Sequence, residues 1–372
     1  MPLPFIFAAG AAVLGASGHL KAREKNEKAE RVSRKAQSIY DNAKSSLESA
    51  KNNTEESLLA FGYAKTNTLE GSIKQFLQAV DRIKVSELSV KEEDSKFIID
   101  EQRALELRKM SDIYSSTISS SAAGVATGAL IGLAASGSIS IVTGGMSLAG
   151  VCLATGDIVG AATIAGSSLS LGLSFTPLAT IVAPVVLFTG ISANANADEN
   201  LEKAKTMLAQ AERAVEEMRN SETMCSAIAK RSDMFRELLV ELNKIFSHFA
   251  EEFDDMTEKK SKELNGRKIC KKDLTPEEKK LTRVTLDLAG AVKAIIDVPL
   301  LKKEGTLSDE SQEVYDDVQV IYNENLERGV IKKPIKSRTT FCTGCGKEIV
   351  RNVKFCNYCG KKNTYREDQD DL

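Results

Sequence analysis

Apolar residues recur at intervals of three and four over two long stretches of this 372-residue chain. Upstream, Ala29, Val32, Ala36, Ile39, Ala43 and Ala50 keep that spacing, with Ser46 in the remaining place; Leu69, Ile73, Phe76, Val80 and Ile83 repeat it. Downstream, Leu201, Ala204, Leu208, Ala211, Val215 and Met218 begin a stripe that passes Glu222 to Cys225 and Ala229. It resumes with Phe235, Leu239, Leu242, Phe246, Phe249, Phe253 and Met256 after a slip of phase near Ser232. Positions three and four apart share one helix face, so both stretches predict amphipathic helices that bury a narrow seam. The pattern predicts an antiparallel bundle or coiled coil, with the slip read as a stammer.

A second helical unit is predicted from the Thr275-Pro276-Glu277-Glu278 cap through Leu281, Val284, Leu288, Val292 and Ile295 to Pro299. Proline suits the first helical position because its missing N–H has no intrahelical partner there. Another helix follows Ser308, with Val314, Val318 and Ile321 inward.

Between the two long stretches the pattern changes. From Asp112 to Asp198 the only formal charge is Asp157, which leaves 44 uncharged residues before it and 40 after. A bilayer core about 30 Å thick is crossed by roughly 20 apolar helical residues, so each half has room for a span. Leu171–Ser192 is the best candidate, with Ala122–Val142 and Met146–Ser167 as softer ones. Twelve of the 24 glycines lie here, including the GxxxGxxxG run of Gly124, Gly128 and Gly132. Such spacing lets a second backbone approach closely, and each glycine weakens an isolated helix in water by about 1 kcal/mol. Two readings follow: a segment that inserts into a membrane, or a small-residue hairpin buried in a bundle. An ionisable group at mid-membrane is expensive, so Asp157 reads as a hairpin turn or a polar lumen.

Leu3–Leu20 is also apolar, and Lys21, Arg23, Lys25, Lys28, Arg31, Arg34 and Lys35 follow it. No positive region precedes Phe5, which argues against a secretory signal, and the order of charges favours a cytoplasmic location for residues 21 onward. The stretch reads first as a helix packed on the Gly-rich block, with an N-out anchor or an interfacial helix as alternatives.

The sharpest chemistry is C-terminal. Cys342-Thr-Gly-Cys345 and Cys356-Asn-Tyr-Cys359 are two CxxC pairs separated by ten residues. Four thiolates so spaced suit tetrahedral Zn2+ in a closed, structural site; a pair of disulfides is the alternative. Gly346 and Gly360 follow the pairs, where a knuckle turn needs backbone freedom and amide donors toward sulfur. Ile349, Val350, Val353 and Phe355 are expected to form its small core. From Lys332 to Arg366, ten Lys/Arg face one acid, Glu348. That patch suits phosphates of nucleic acid or anionic lipid, with Tyr358 and Tyr365 available for stacking. The alternative is that it balances the thiolates and the acidic tail.

Composition narrows the function. The charges nearly cancel, 50 Lys+Arg against 52 Asp+Glu, and there are two His, no Trp and 5% aromatic residues. Little imidazole is available for acid–base work, and no phosphate loop, dinucleotide fingerprint, HExxH or catalytic triad spacing occurs. The chain reads as a non-enzyme. His19, His248, Cys152, Cys225 and Cys270 carry no ligand role.

Cys342, Cys345, Gly346, Phe355, Cys356, Cys359 and Gly360 resemble the short bacterial zinc-ribbon domains of C-x-x-C-G and F-C-x-x-C-G type. That resemblance implies a structural Zn2+ and a role in interaction or regulation, often beside membrane segments. The body is similar in layout to uncharacterised bacterial coiled-coil proteins with a Gly-rich apolar centre. Over roughly residues 20 to 265 it also resembles alpha-helical pore-formers of the cytolysin A type and apolipoprotein-L-like proteins.

The expected fold is mainly α: a long antiparallel helical bundle carrying an apolar Gly-rich helical hairpin at its tip, plus a small C-terminal β zinc ribbon. Its parts are an apolar helix (1–20), a helical arm (21–118), the Gly-rich region (119–197) and a second arm (198–265). A helical pair (274–327), a linker (328–340), the ribbon (341–363) and an acidic tail (364–372) complete it. The expected function is membrane association or insertion at the cytoplasmic face of the cell membrane. Its expected partners are membrane lipid, a protein at the ribbon, nucleic acid at the Lys332–Arg366 patch and further copies of the chain. The alternative is a soluble cytoplasmic scaffold that uses the ribbon to bind protein or nucleic acid.

Overall fold

A computed structural model describes residues 16–85, 97, 99–120, 130–135, 197–302, 305–327, 339–342, 348–350, 355–358 and 361–362. The protein is mainly helical. Helix α1 spans Ala16–Thr68, a π-helical turn follows at Leu69–Ile73, and α2 spans Lys74–Asp81. Helix α3 is Glu101–Ser120, α4 is Ala197–Glu263, α5 is Pro276–Asp297 and α6 is Asp309–Glu327. Strands β1 (Thr339–Phe341) and β2 (Glu348–Val350) pair antiparallel, with Thr340 opposite Ile349. Among the described residues no helix is long and apolar enough to cross a membrane.

The seam read from the sequence is present, and one of its features is reversed. Hydrogen bonds and ion pairs between the first arm and α4 join residues 171 to 176 apart in sequence, from Lys25–Asp198 through Ser33–Met207 and Thr54–Cys225 to Ser72–Asn243. A constant separation means the two helices run in the same direction. Helices α1 and α2 therefore run parallel, not antiparallel, to α4.

The described residues fall into two compact units, one drawn from Met1–Thr54 and Phe175–Ala227, the other from Glu55–Ser174 and Ile228–Leu372. In the first, Tyr40 and Leu47 meet Ala214 and Met218, with Ala43 alongside. The expected positions Ile39 and Ser46 are each displaced by one residue: Ser46 is exposed and the larger apolar side chains turn inward.

In the second unit the aromatic stripe forms the core. Phe61, Phe76, Phe235, Phe246 and Phe253 are all at most 1% exposed, and Phe76 stacks on Phe253 with centroids 6.1 Å apart. The slip near Ser232 is no break in α4. Ser232 occupies the seam itself, fully buried, because its Oγ donates to the Ser57 carbonyl at 2.9 Å. The irregularity lies instead in the first arm, at the π turn, whose Leu69 carbonyl accepts from Ser111 Oγ of α3 at 3.4 Å. Beyond Asp81 that arm is interrupted and resumes as α3, whose Arg108 pairs with Asp81.

Helix α5 begins as expected. Thr275 Oγ1 accepts from the Glu278 amide at 3.2 Å, and Glu278 Oε2 accepts from the Thr275 amide at 2.8 Å. This reciprocal cap satisfies two otherwise unpaired donors. At Gly290 a Cβ would stand 1.4 Å from the Phe97 carbonyl oxygen, so only glycine permits this approach.

The candidate spans Met146–Ser167 and Leu171–Ser192, Asp157, most of the 1–20 stretch and the acidic tail lie outside the described residues. Of Ala122–Val142, residues 130–135 are described. They are helical, and Leu130, Ile131, Leu133, Ala134 and Ala135 are all buried in the second unit.

Candidate metal centre and its seat on the helical body

The C-terminal segment folds around sulfur. Cys342 directly follows β1, and β2 brings Ile349 opposite Thr340. A second antiparallel bridge joins Phe355 to Lys362, closed by the Cys356 amide donating to the Lys361 carbonyl at 2.9 Å. These two turns bring Cys342 and Cys356, one from each CxxC pair, into a single buried cluster with Ile349, against which Tyr358 packs. The Tyr358 amide points at Cys356 Sγ, 3.4 Å away. An N–H aimed at sulfur stabilises a thiolate, which is the form that ligates metal. Cys345 and Cys359 lie outside the described residues, and no group of three metal-binding side chains occurs among the described ones. The donor chemistry of the described half fits Zn2+: two buried sulfurs from separate turns and an amide toward one of them.

Strand β1 starts two residues inside the segment read as linker, because Thr339 already pairs with Val350. Phe355 also departs from expectation. It is half-buried and outside the ribbon's own cluster, with its ring 4.9 Å from that of Tyr63 on α1. Asn67, one turn along, donates through Nδ2 to the Phe355 carbonyl at 2.8 Å and to Asn357 Oδ1. Arg236 of α4 completes the seat. Its guanidinium lies 5.0 Å from the centre of the Tyr358 ring and donates to the Asn357 carbonyl at 3.4 Å. The Tyr358 face offered to a base by the sequence reading is thus taken by Arg236, whereas Lys361 and Lys362 are exposed. Tyr365 lies outside the described residues.

The same turns of α1 carry a group that the sequence did not single out. Lys65 is fully buried, and its Nζ donates to the carbonyls of Leu133 and Ile296, both at 3.1 Å, while lying 4.4 Å from the centre of the Phe61 ring. Ile296 belongs to the last turn of α5, where carbonyls lack intrahelical donors. Burial drives the Lys65 pKa down to about 7, with the nearby Asp297 opposing. Asp297 itself is bonded to Lys293, which also pairs with Glu106 of α3 at 2.9 Å. Beside Lys65, Gly62 touches the apolar segment so closely that a Cβ would stand 2.3 Å from the Leu130 carbonyl oxygen. The Ala135 carbonyl accepts from the Leu301 amide at 3.0 Å. A lysine within a helical pattern normally marks the solvent face, so nothing in the spacing distinguished Lys65.

The remaining residues are ordinary helix components. Cys225 is buried and its thiol pKa is raised by that burial, while His248 lies 3.4 Å from Glu252. Cys270 heads the 3-10 turn Lys271–Asp273, its amide donating to Asp273. Cys152 lies outside the described residues. No family model, curated protein or solved structure matches the chain.

Proposed function

We propose that the chain is a non-enzymatic helical protein that associates with membrane lipid, inserting its nearly uncharged Gly-rich segment when that segment leaves the helical body. What supports this reading is the storage of 130–135: an apolar stretch from a region with one formal charge, covered by the chain's own helices. Burying about 25 cal/mol per Å2 of apolar surface favours either refuge, body or bilayer, over water. A structural Zn2+ held by Cys342, Cys345, Cys356 and Cys359 cross-links the ribbon when bound, and the ribbon recognises a protein partner. The working location is the cytoplasmic face of a membrane.

Carbonate washing of membranes and dye leakage from anionic liposomes test this reading. Partial retention, or leakage that rises as the body is destabilised, is expected. Complete release together with no leakage at any pH would favour the second reading, a soluble scaffold. The burial of 130–135 and the exposed Lys361 and Lys362 support that alternative, in which the basic ribbon binds protein or nucleic acid.

A further inference from the structure

Residues 61–67 of α1 bear both the ribbon and the apolar segment. Tyr63 and Asn67, four apart, meet Phe355 and Asn357, while Gly62 and Lys65, three apart, meet Leu130 and Leu133. At about 100° per residue these two pairs point roughly 150° apart, on nearly opposite faces of one helix. The stretch is consequently buried almost all round: Lys65, Thr66, Asn67 and Thr68 are four consecutive polar residues, none more than 8% exposed. Polar groups stay buried only while their partners are in place. Asn67 finds its partners in the ribbon on one side and Lys65 finds its own in 130–135 and α5 on the other, whereas Thr68 bonds within its helix to the Ala64 carbonyl and the buried Thr66 Oγ1 has no partner among the described residues. The π turn begins immediately after Thr68, so this end of α1 lacks regular α-helical continuation.

We propose that this part of α1 is a two-sided clasp, through which undocking of the ribbon loosens the hold on the apolar segment at 130–135. The ribbon is an autoinhibitory element: docked, it keeps residues 61–67 seated; undocked, it exposes Tyr63 and Asn67 and lets that turn shift. A close backbone contact at Gly62 and two hydrogen bonds from one lysine tolerate little displacement, because packed interfaces switch rather than stretch. Use of the metal as the trigger rests on the zinc reading above; the mechanical link between ribbon and segment does not.

Hydrogen exchange on the full chain tests the link, followed in peptides covering 61–68, 130–135 and 355–362. Phe355→Ala weakens docking from the ribbon side and leaves the helical body and all four ligand cysteines unchanged. Exchange at 130–135 is expected to accelerate about tenfold in Phe355→Ala, and equally in wild type stripped by a chelator. A variant in which 355–362 exchanges faster while 130–135 stays as slow as wild type would overturn the clasp. A ribbon that exchanges no faster in Phe355→Ala would overturn it too, because the ring contact would then not hold the dock. If elemental analysis finds no zinc in the purified chain, the metal trigger is lost and Phe355→Ala alone decides the clasp. No lipid is present in this measurement, so a positive result beside silent liposomes would retain the clasp and discard membrane insertion.

Discussion

At Lys65 two tendencies oppose each other. The Phe61 ring face and Asp297 favour an ammonium, whereas complete burial favours the neutral amine, and burial prevails. The neutral amine has two N–H groups and meets two carbonyls, so it is satisfied without charge. With a folded pKa near 7 and an unfolded value of 10.5, the unfolded chain binds more protons between those limits. Stability therefore rises with pH across that window and carries the full penalty of the buried charge below it. Urea titrations at pH 6.5, 8 and 9.5 should show this rise in wild type and a flatter profile in Lys65→Met; parallel profiles would show that Lys65 is not the group responsible. Glycines give a second residue-scale contrast. Gly62→Ala drives a methyl into the Leu130 carbonyl and should cost about 1–3 kcal/mol, whereas Gly71→Ala has no heavy atom within 4 Å and should gain up to about 1 kcal/mol. Thermal melts of the two variants should move in opposite directions.

At the scale of elements, the apolar seam was legible because a buried stripe must repeat at the helical period. Its direction was not, since the spacing of Ala204, Ala211 and Met218 reads the same for a parallel or an antiparallel neighbour. Direction resides in particular pairs such as Ser33 with Met207 and Ser72 with Asn243, which no periodicity encodes. Ser232 looked like a fault because a hydroxyl interrupts the apolar pattern, yet a single carbonyl from Ser57 makes it a seam residue. The CxxC pairs were visible from spacing alone. The outward use of Phe355 was not, because an apolar residue serves equally well in a small core or in a dock. Cysteine pairs check the direction: Ser33→Cys with Met207→Cys should cross-link within one chain on mild oxidation, whereas Ser33→Cys with Thr257→Cys should not. The converse pattern would restore the antiparallel arrangement.

For the whole molecule, the burial of residues 130–135 alters what the nearly uncharged region can be. A hairpin insert at a tip could meet a bilayer while the arms remained paired. A region with its residues 130–135 seated between Gly62, Lys65 and Leu301 must leave that seat before those residues can meet lipid. Storage and the proposed insertion would therefore compete for the same surface, and a charge placed there separates them. Ile131 is fully buried, so Ile131→Asp puts an unpaired carboxylate into the helical body. If the segment is stored in solution, this variant should lose on the order of 3 kcal/mol or more of unfolding free energy in lipid-free buffer. Guanidinium unfolding followed by far-UV circular dichroism would register the loss. A body as stable as wild type would mean that 130–135 does not occupy this seat in solution, and the account of a stored membrane segment would fail with it.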